Sequence, residues 1–409
     1  MSTSKKQKLL FLTGVSPAPK ESGGATRVYN TIKNLSQHFH LYLVIFKPEN
    51  YQFKPEDYSY LKKHSRQFLF FDIKDFRSQK SFITDLQPYW FSPWHNDEIQ
   101  ITIHNLIKKH QFKFVHIEQT QLCYLVNYLP IKTKKIFVAQ DIGIVTFWRR
   151  LRQIKKFSTK IIHLTRWLEI FLYEKKYLPK FDLICAVSNT DKKKLRKIYE
   201  LKNICTVRNG IENISFIKKD PPSNFIKLGY IGSFDHPPNR TAFIYFLNHI
   251  APLLEKKQID YRFFIAGKNN KEEIDWLINQ SPLKNKENIL NLSFVDTLAD
   301  FFQLIDILVT PIFSGSGSRI KILESLSFGV PIISTPIGIE GINIKNKIIK
   351  IATNPSEFVR AIIQTKKDLS TSKHRILLKK LKDQLQPYLW SKIIKKYVYF
   401  ITHAKHITH

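Results

Sequence analysis

Acid is scarce in this chain. Over 409 residues, 33 Asp and Glu stand against 65 Lys and Arg, a formal net charge of +32. Such an excess favours an anionic partner: nucleic acid, an acidic membrane surface or a phosphorylated substrate. A general compositional bias toward Lys, Ile, Asn and Phe is the competing source of the charge. Cysteine is scarcer still. Cys123, Cys185 and Cys205 are an odd number with no C-x-x-C spacing, which argues against a disulfide framework or a cysteine-built metal site. Cys185 and Cys205 lie in the strand-like runs "LICAVS" and "ICTVRN", so buried thiols in a reducing compartment are expected. Long apolar runs are missing. Nothing approaches the roughly 18–20 residues of a spanning helix. The opening "MSTSKKQKLLFLTGVSP" carries only a short apolar run and reads as a first strand, not a signal peptide. These features place the chain in the cytoplasm. Repeats and low-complexity segments are absent too.

What remains is enough for packed cores. Hydrophobic residues make up 43% of the chain, and at roughly 100–200 residues per domain its length predicts two domains. In the first half, "KLLFLTG", "LYLVIF", "FLFFD", "FKFVHIE", "KKIFVAQ" and "LICAVS" read as strands, alternating with amphipathic helices such as "TRVYNTIKNLSQHF". The polar, proline-bearing "KKDPPSNF" breaks the pattern as a linker. Alternation then restarts with "KLGYIGS", "YRFFIAG", "ILNLSF", "DILVTP" and "VPIIST". Both halves therefore predict doubly wound parallel α/β sheets. The expected division is an N-terminal Rossmann-like domain over 1–217 and a second over 218–385, followed by a C-terminal helix over 386–409. In such sheets ligands bind at the carboxyl ends of the strands.

One stretch carries most of the chemistry: "FSGSGSRIKILESLSFGVPIIST", Phe313 to Thr335. The small residues Gly315, Ser316, Gly317 and Ser318 join a strand to a helix that Gly329 is placed to stop. Small residues let a ligand approach the backbone, and free amides at a helix start suit an anion. Arg319 and Lys321 add positive charge where a helix disfavours it, a conflict that a bound anion removes. A plain surface turn with two solvated cations is the bland alternative. Glu324 sits in the apolar pattern of Ile320, Leu323 and Leu326, leaning back toward the loop. A carboxylate there accepts two hydroxyl hydrogen bonds, which suits a vicinal diol such as ribose. Pairing with Lys321 three residues earlier is its bland reading. Phosphate at the loop and ribose beyond it describe a nucleotide diphosphate. Gly23 and Gly24, in "SPAPKESGGATRVYNTI", open another helix in a phosphate-friendly way. Neither G-x-G-x-x-G nor a Walker lysine accompanies them, so dinucleotide and P-loop readings fail.

Here the chain resembles a family 4 retaining glycosyltransferase of the GT-B fold. The resemblance covers most of the sequence. It is carried, in order, by "SGGATRVYNTIKNL", "FDLICAVSNTDKKKL", "VRNGIE", "YIGSFDHPPNRTAFIYF", "FIAG", "DILVTPIFSGSGSRIKILESLSFGVPIISTPIGIEG" and the Trp of "YLWSKIIKKY". It implies two Rossmann-like domains facing a cleft, with a nucleotide-diphosphate sugar on the second, the acceptor mainly on the first, and a C-terminal helix crossing back. Glu324 matches the second acid of the family's E-x7-E motif. Gly23, Gly24, Gly232, Ser233, Gly315, Ser316, Gly317 and Ser318 fall at donor-binding positions, as do Val295 and Asp296, which flank the base. Asp141 falls near the transferred sugar, and His116 and Glu118 on the acceptor side. Three positions depart from the family: Ser316 replaces the first acid, Ser233 and Asn239 replace a common Arg and Lys, and Gln140 stands where His is frequent. Arg319 and Lys321 are the candidates to neutralise the leaving diphosphate.

The implied reaction moves a glycosyl group, a hexosyl in expectation, to an acceptor hydroxyl with retained configuration and without metal or other cofactor. No D-x-D stands at a strand end. The acceptor is a glycan or lipid-linked molecule of cell-envelope polysaccharide, lipopolysaccharide or glycan synthesis. An anionic membrane surface is a further expected partner, through the basic, aromatic segment 147–180, which places the chain peripherally at the inner membrane face. Two rivals remain: a sugar-nucleotide epimerase of the same build, and a non-catalytic basic binding protein. No nucleic-acid reader motif or aromatic platform is present, so nucleic acid is not expected as a partner.

Overall fold

A strand that is apolar along its whole length must be covered on both faces, which is the condition of a parallel sheet with helices on either side. The computed structural model describes residues 6–17, 22–73, 88–95, 97–217, 224–268, 271–295 and 297–403. Its first sheet contains β1 (Gln7–Thr13), β2 (Phe39–Pro48), β3 (Gln67–Ile73), β4 (Phe114–Glu118), β5 (Lys134–Ala139), β6 (Leu183–Ala186) and β7 (Ile204–Thr206). The order is β3-β2-β1-β4-β5-β6-β7, and neighbouring strands run parallel. β4 and β6 are buried at every residue, whereas edge strand β3 is only partly covered.

The second sheet contains β8 (Ile226–Ile231), β9 (Tyr261–Ala266), β10 (Ile289–Asn291), β11 (Ile307–Thr310), β12 (Ile332–Ser334) and β13 (Ile349–Ile351). Its order is β10-β9-β8-β11-β12-β13, again parallel. Both halves are thus the doubly wound α/β sheets anticipated. Each changes winding direction once, between β1 and β4 in one sheet and between β8 and β11 in the other. These crossings are where such folds bind ligands. The short edge strand β13 lay outside the sequence reading, because "IKI" offers too little apolar pattern.

The chain divides into two compact units. One comprises Met1–Lys20, Gly24–Asn209 and Ile393–His409, and the other Glu21–Gly23 and Gly210–Lys392. The expected linker falls largely outside the described residues. The C-terminal helix Trp390–His403 enters the first unit at Ile393. There Tyr397 is buried with its ring 5.9 Å from that of His116, and Lys134 Nζ donates to the Ile401 carbonyl at 2.7 Å. The three cysteines are buried and unbridged, with Cys185 and Cys205 register partners on β6 and β7.

Candidate active site

The crossing point of the second sheet assembles the residues of the "SGSGS" stretch. Gly232 directly follows β8, and the neighbouring β11 runs into the small-residue loop. Gly315 and Gly317 both have positive φ, +88° and +76°, which side chains rarely adopt. Arg319 closes the loop on itself. Its Nη1 donates to Ser316 O at 2.5 Å and its Nη2 to Ser314 O at 3.0 Å. A Cβ at Gly315 would lie 2.8 Å from Arg319 Nη2, so glycine makes room for this clamp. The following helix, Ile320–Ser327, has Arg319 at its N-cap and no side-chain cap. Elsewhere Ser188, Thr297 and Asn354 cap their helices with a side-chain oxygen. Here the first amides are left to other acceptors.

Lys321 points from that helix across the crossing. Its Nζ donates to Asn239 Oδ1 at 2.9 Å and to the Tyr230 hydroxyl at 3.1 Å. It also lies 4.2 Å from the centre of the Tyr230 ring. Tyr230 donates to the same Asn239 Oδ1 at 2.8 Å, and Asn239 Nδ2 donates to Ser233 O at 2.7 Å. A Cβ at Gly232 would stand 2.5 Å from Lys321 Nζ, so this glycine keeps the ammonium's place open. Desolvation and the Arg319 charge lower the Lys321 pKa to about 7, with Glu324 opposing. Desolvation raises Glu324 to about 7, against the pull of Lys321. Among the described residues the Glu324 carboxylate makes no hydrogen bond or ion pair, so the pairing with Lys321 is not made. Desolvation, then Arg319 and Lys321, also lowers His236, the N-cap of the helix Pro237–Tyr245 that follows β8. The crossing point thus gathers Arg319, Lys321 and His236 from two helices, with Glu324 nearby as the opposing charge.

Tyr230 and His236 escaped the sequence reading. Tyr230 lies inside a strand whose alternation marks it only as core. Val295 packs partly buried against the second unit's core. Asp296 lies outside the described residues.

In the first unit, His116 and Glu118 come together at the end of β4. Both are wholly buried, with His116 Nε2 3.3 Å from Glu118 Oε1. Gln140, just past β5, donates to Glu118 Oε2. Burial works against the charged carboxylate, but His116, Arg27 and Gln140 together hold Glu118 below its usual pKa. Arg27 is itself buried, donating to Asn209 Oδ1 at 2.7 Å and to the carbonyls of Val207 and Arg208. Neither His116 nor Glu118 reaches the surface, so the expected direct contact of either with an acceptor is not available to them in this structure. Asp141 is exposed one residue further on. Glu174 holds the helix Gly143–Gln153 behind it, accepting from Gly143 N at 3.2 Å and from the Tyr199 hydroxyl. Gly23 and Gly24 begin the helix Gly23–Leu35, as anticipated.

Residues 226–368 match the family described as "Glycosyl transferases group 1". The second unit therefore carries a glycosyltransferase group 1 domain. The match spans β8 to the helix Pro355–Leu369 and includes the crossing point, the Gly315–Ser318 loop, Lys321 and Glu324. Known structures agree on the fold. Sucrose-phosphate synthase of Thermosynechococcus elongatus superposes with a TM-score of 0.70 at 14% identity, covering 96% of this chain and 98% of that one. A glycosyltransferase of Rickettsia africae gives 0.67 at 14%, covering 98% and 100%. Anabaena HepE, solved with UDP-glucose, gives 0.63 at 13%, covering 97% and 99%. At these identities the likeness establishes the two-domain GT-B fold. An uncharacterized 44.6 kDa protein of the Klebsiella pneumoniae cps region is 26% identical over 148 residues. That match takes in 35% of this chain and only 38% of the Klebsiella protein. The matched region holds both Lys321 and its partner Asn239.

Proposed function

We propose that the chain is a retaining glycosyltransferase that moves a hexosyl group from a nucleotide-diphosphate sugar to an acceptor hydroxyl. The observation that carries this reading is the Lys321 ammonium, set on Tyr230 and Asn239 at the crossing point of a glycosyltransferase group 1 domain. Its third proton is available to a diphosphate, together with the amides of Ile320 and Lys321 at the uncapped helix start. Negative charge develops on that diphosphate as the glycosidic bond breaks, and preorganised donors stabilise it. A diphosphate oxygen takes the acceptor proton, so no close carboxylate pair is needed. Glu324 accepts from the ribose hydroxyls, and Val295 and Asp296 flank the base. Gly23 and Gly24 contribute amides, and Arg319 acts through the loop it clamps. Asp141 contacts the transferred sugar. His116 and Glu118 are positioning residues behind Gln140, and the acceptor belongs to the first unit. UDP-sugars are the first donors to try, since HepE was solved with UDP-glucose. The cps-region relative supports a role in cell-envelope polysaccharide synthesis.

A panel of radiolabelled UDP-, GDP- and dTDP-sugars, with and without extracted glycan and lipid acceptors, tests this. Transfer of label to an acceptor with retained anomeric configuration supports it. Interconversion of the free nucleotide sugars would make the chain an epimerase, and binding of none of them would leave a basic binding protein.

A further inference from the structure

The helix Phe157–Tyr177 has two apolar sides. His163, Ile170, Tyr173, Glu174 and Tyr177 are buried on one. On the other, Phe157, Ile161, Leu164 and Leu168 recur at spacings of four, three and four residues, which sets them on one stripe. This second stripe faces solvent: Phe157 is 77% exposed, and Ile161, Leu164 and Leu168 are 49%, 48% and 48% exposed. Ile162 and Trp148, the latter on the preceding helix Gly143–Gln153, are similarly exposed. Single exposed apolar residues are ordinary, but a continuous row on one helix marks an interaction surface.

The charges around the stripe select the partner. Arg150, Arg152, Lys155, Lys156 and Lys160 are exposed on the two helices and the turn between them. From Phe147 to Lys180 there are ten Lys and Arg and only two acids, Glu169 and Glu174. Glu174 is buried and engaged with Gly143 and Tyr199, so it offsets nothing at the surface. A second copy of the chain would bring the same cations against these and be repelled. An aromatic and aliphatic stripe flanked by cations fits a helix lying in the headgroup region of an anionic bilayer.

We propose that this helical hairpin docks the protein onto an anionic membrane surface, with the Phe157–Leu168 stripe entering the interface and the surrounding cations meeting the lipid headgroups. Two forces of different salt sensitivity then act together. The cations bring the protein to the surface and weaken as salt screens them, while the buried stripe holds regardless of salt. This proposal does not depend on glycosyl transfer, and its test uses no nucleotide.

The full chain is floated with vesicles of equal parts phosphatidylglycerol and phosphatidylcholine, and with phosphatidylcholine alone. The wild type is expected to float with the first and not the second. Replacing Arg150, Arg152, Lys155, Lys156 and Lys160 together by Gln should lower binding at least about tenfold, since each cation near an anionic surface contributes measurably. Replacing Phe157, Ile161, Leu164 and Leu168 by Gln should leave binding at low salt but lose it at salt concentrations that the wild type withstands. All replaced residues are exposed, the stripe's by about half or more, and unchanged thermal midpoints confirm that the variants fold. Wild-type protein that ignores the anionic vesicles at low salt overturns the proposal. So does a stripe variant as salt-resistant as the wild type, or sedimentation showing that the stripe is covered by a second copy.

Discussion

The donor site should be pH-gated by Lys321. In the unliganded protein its pKa is lowered to about 7 by desolvation and by Arg319. A bound diphosphate favours the charged ammonium and pulls the pKa back up. Below pH 7 the lysine is already charged and takes up no proton when donor binds. Above pH 7 binding must take up one proton, so affinity falls by at most about tenfold per pH unit while the bound-state pKa stays higher. Between pH 7 and 9 the loss is therefore up to about a hundredfold. Calorimetry with a nucleotide-diphosphate sugar measures it cleanly, because the doubly esterified diphosphate does not titrate in this range. Repeating the titration in buffers of different ionisation enthalpy counts the proton directly. Lys321→Met should bind weakly and show no alkaline decline, and Lys321→Ala should lose about 2–4 kcal/mol of transition-state stabilisation. Wild-type affinity that is flat from pH 7 to 9, or the same slope in Lys321→Met, refutes the reasoning.

Three other outcomes follow from the same geometry. Glu324→Gln should weaken nucleotide binding, and it should remove any decline below pH 7, where the native carboxyl becomes neutral; mass spectrometry should find no glycosyl adduct on the native Glu324. Gly232→Ala places a methyl 2.5 Å from Lys321 Nζ and 2.8 Å from Asn239 Nδ2 at a positive φ, so donor affinity should fall sharply and the melting temperature, read by scanning calorimetry, should fall with it. In the first unit, burial raises the pKa of Glu174 to about 7, above its ordinary 4.5. The folded state thus retains a proton that the unfolded chain has released, and stability falls as pH rises from 4.5 to 7, by up to about 3 kcal/mol. Glu174→Gln should flatten that part of a melting-temperature profile against pH.

The sequence disclosed the sheets because strands buried on both faces leave unbroken apolar runs. "DILVTP" and "LICAVS" could hardly be anything else. β13 stayed hidden because an edge strand of three residues is only partly buried and leaves no such run. Loop, cations and Glu324 were legible as a local pattern, since consecutive residues of one strand-to-helix turn carry them. Who answers Lys321 was not. Tyr230 and Asn239 lie 91 and 82 residues away, and only the parallel pairing of β8 with β11 brings them alongside. The exposed stripe on the helix Phe157–Tyr177 was half legible. Interleaved cations and aromatics were plain, but whether Phe157 and Leu168 faced the core or solvent depended on which side the rest of the unit covered.

The clamp of Arg319 on Ser314 and Ser316 has a further consequence. A loop of five small residues ought to be floppy, and catching an anion with it would then mean freezing backbone freedom at every encounter. With one guanidinium bridging two of its carbonyls, that ordering is completed once, when the chain folds. For the proposed donor, capture of the diphosphate would start from a preordered cradle, and its association would need no conformational search. Only a planar fork can span both carbonyls, so Arg319→Lys would keep the charge yet return the loop to motion.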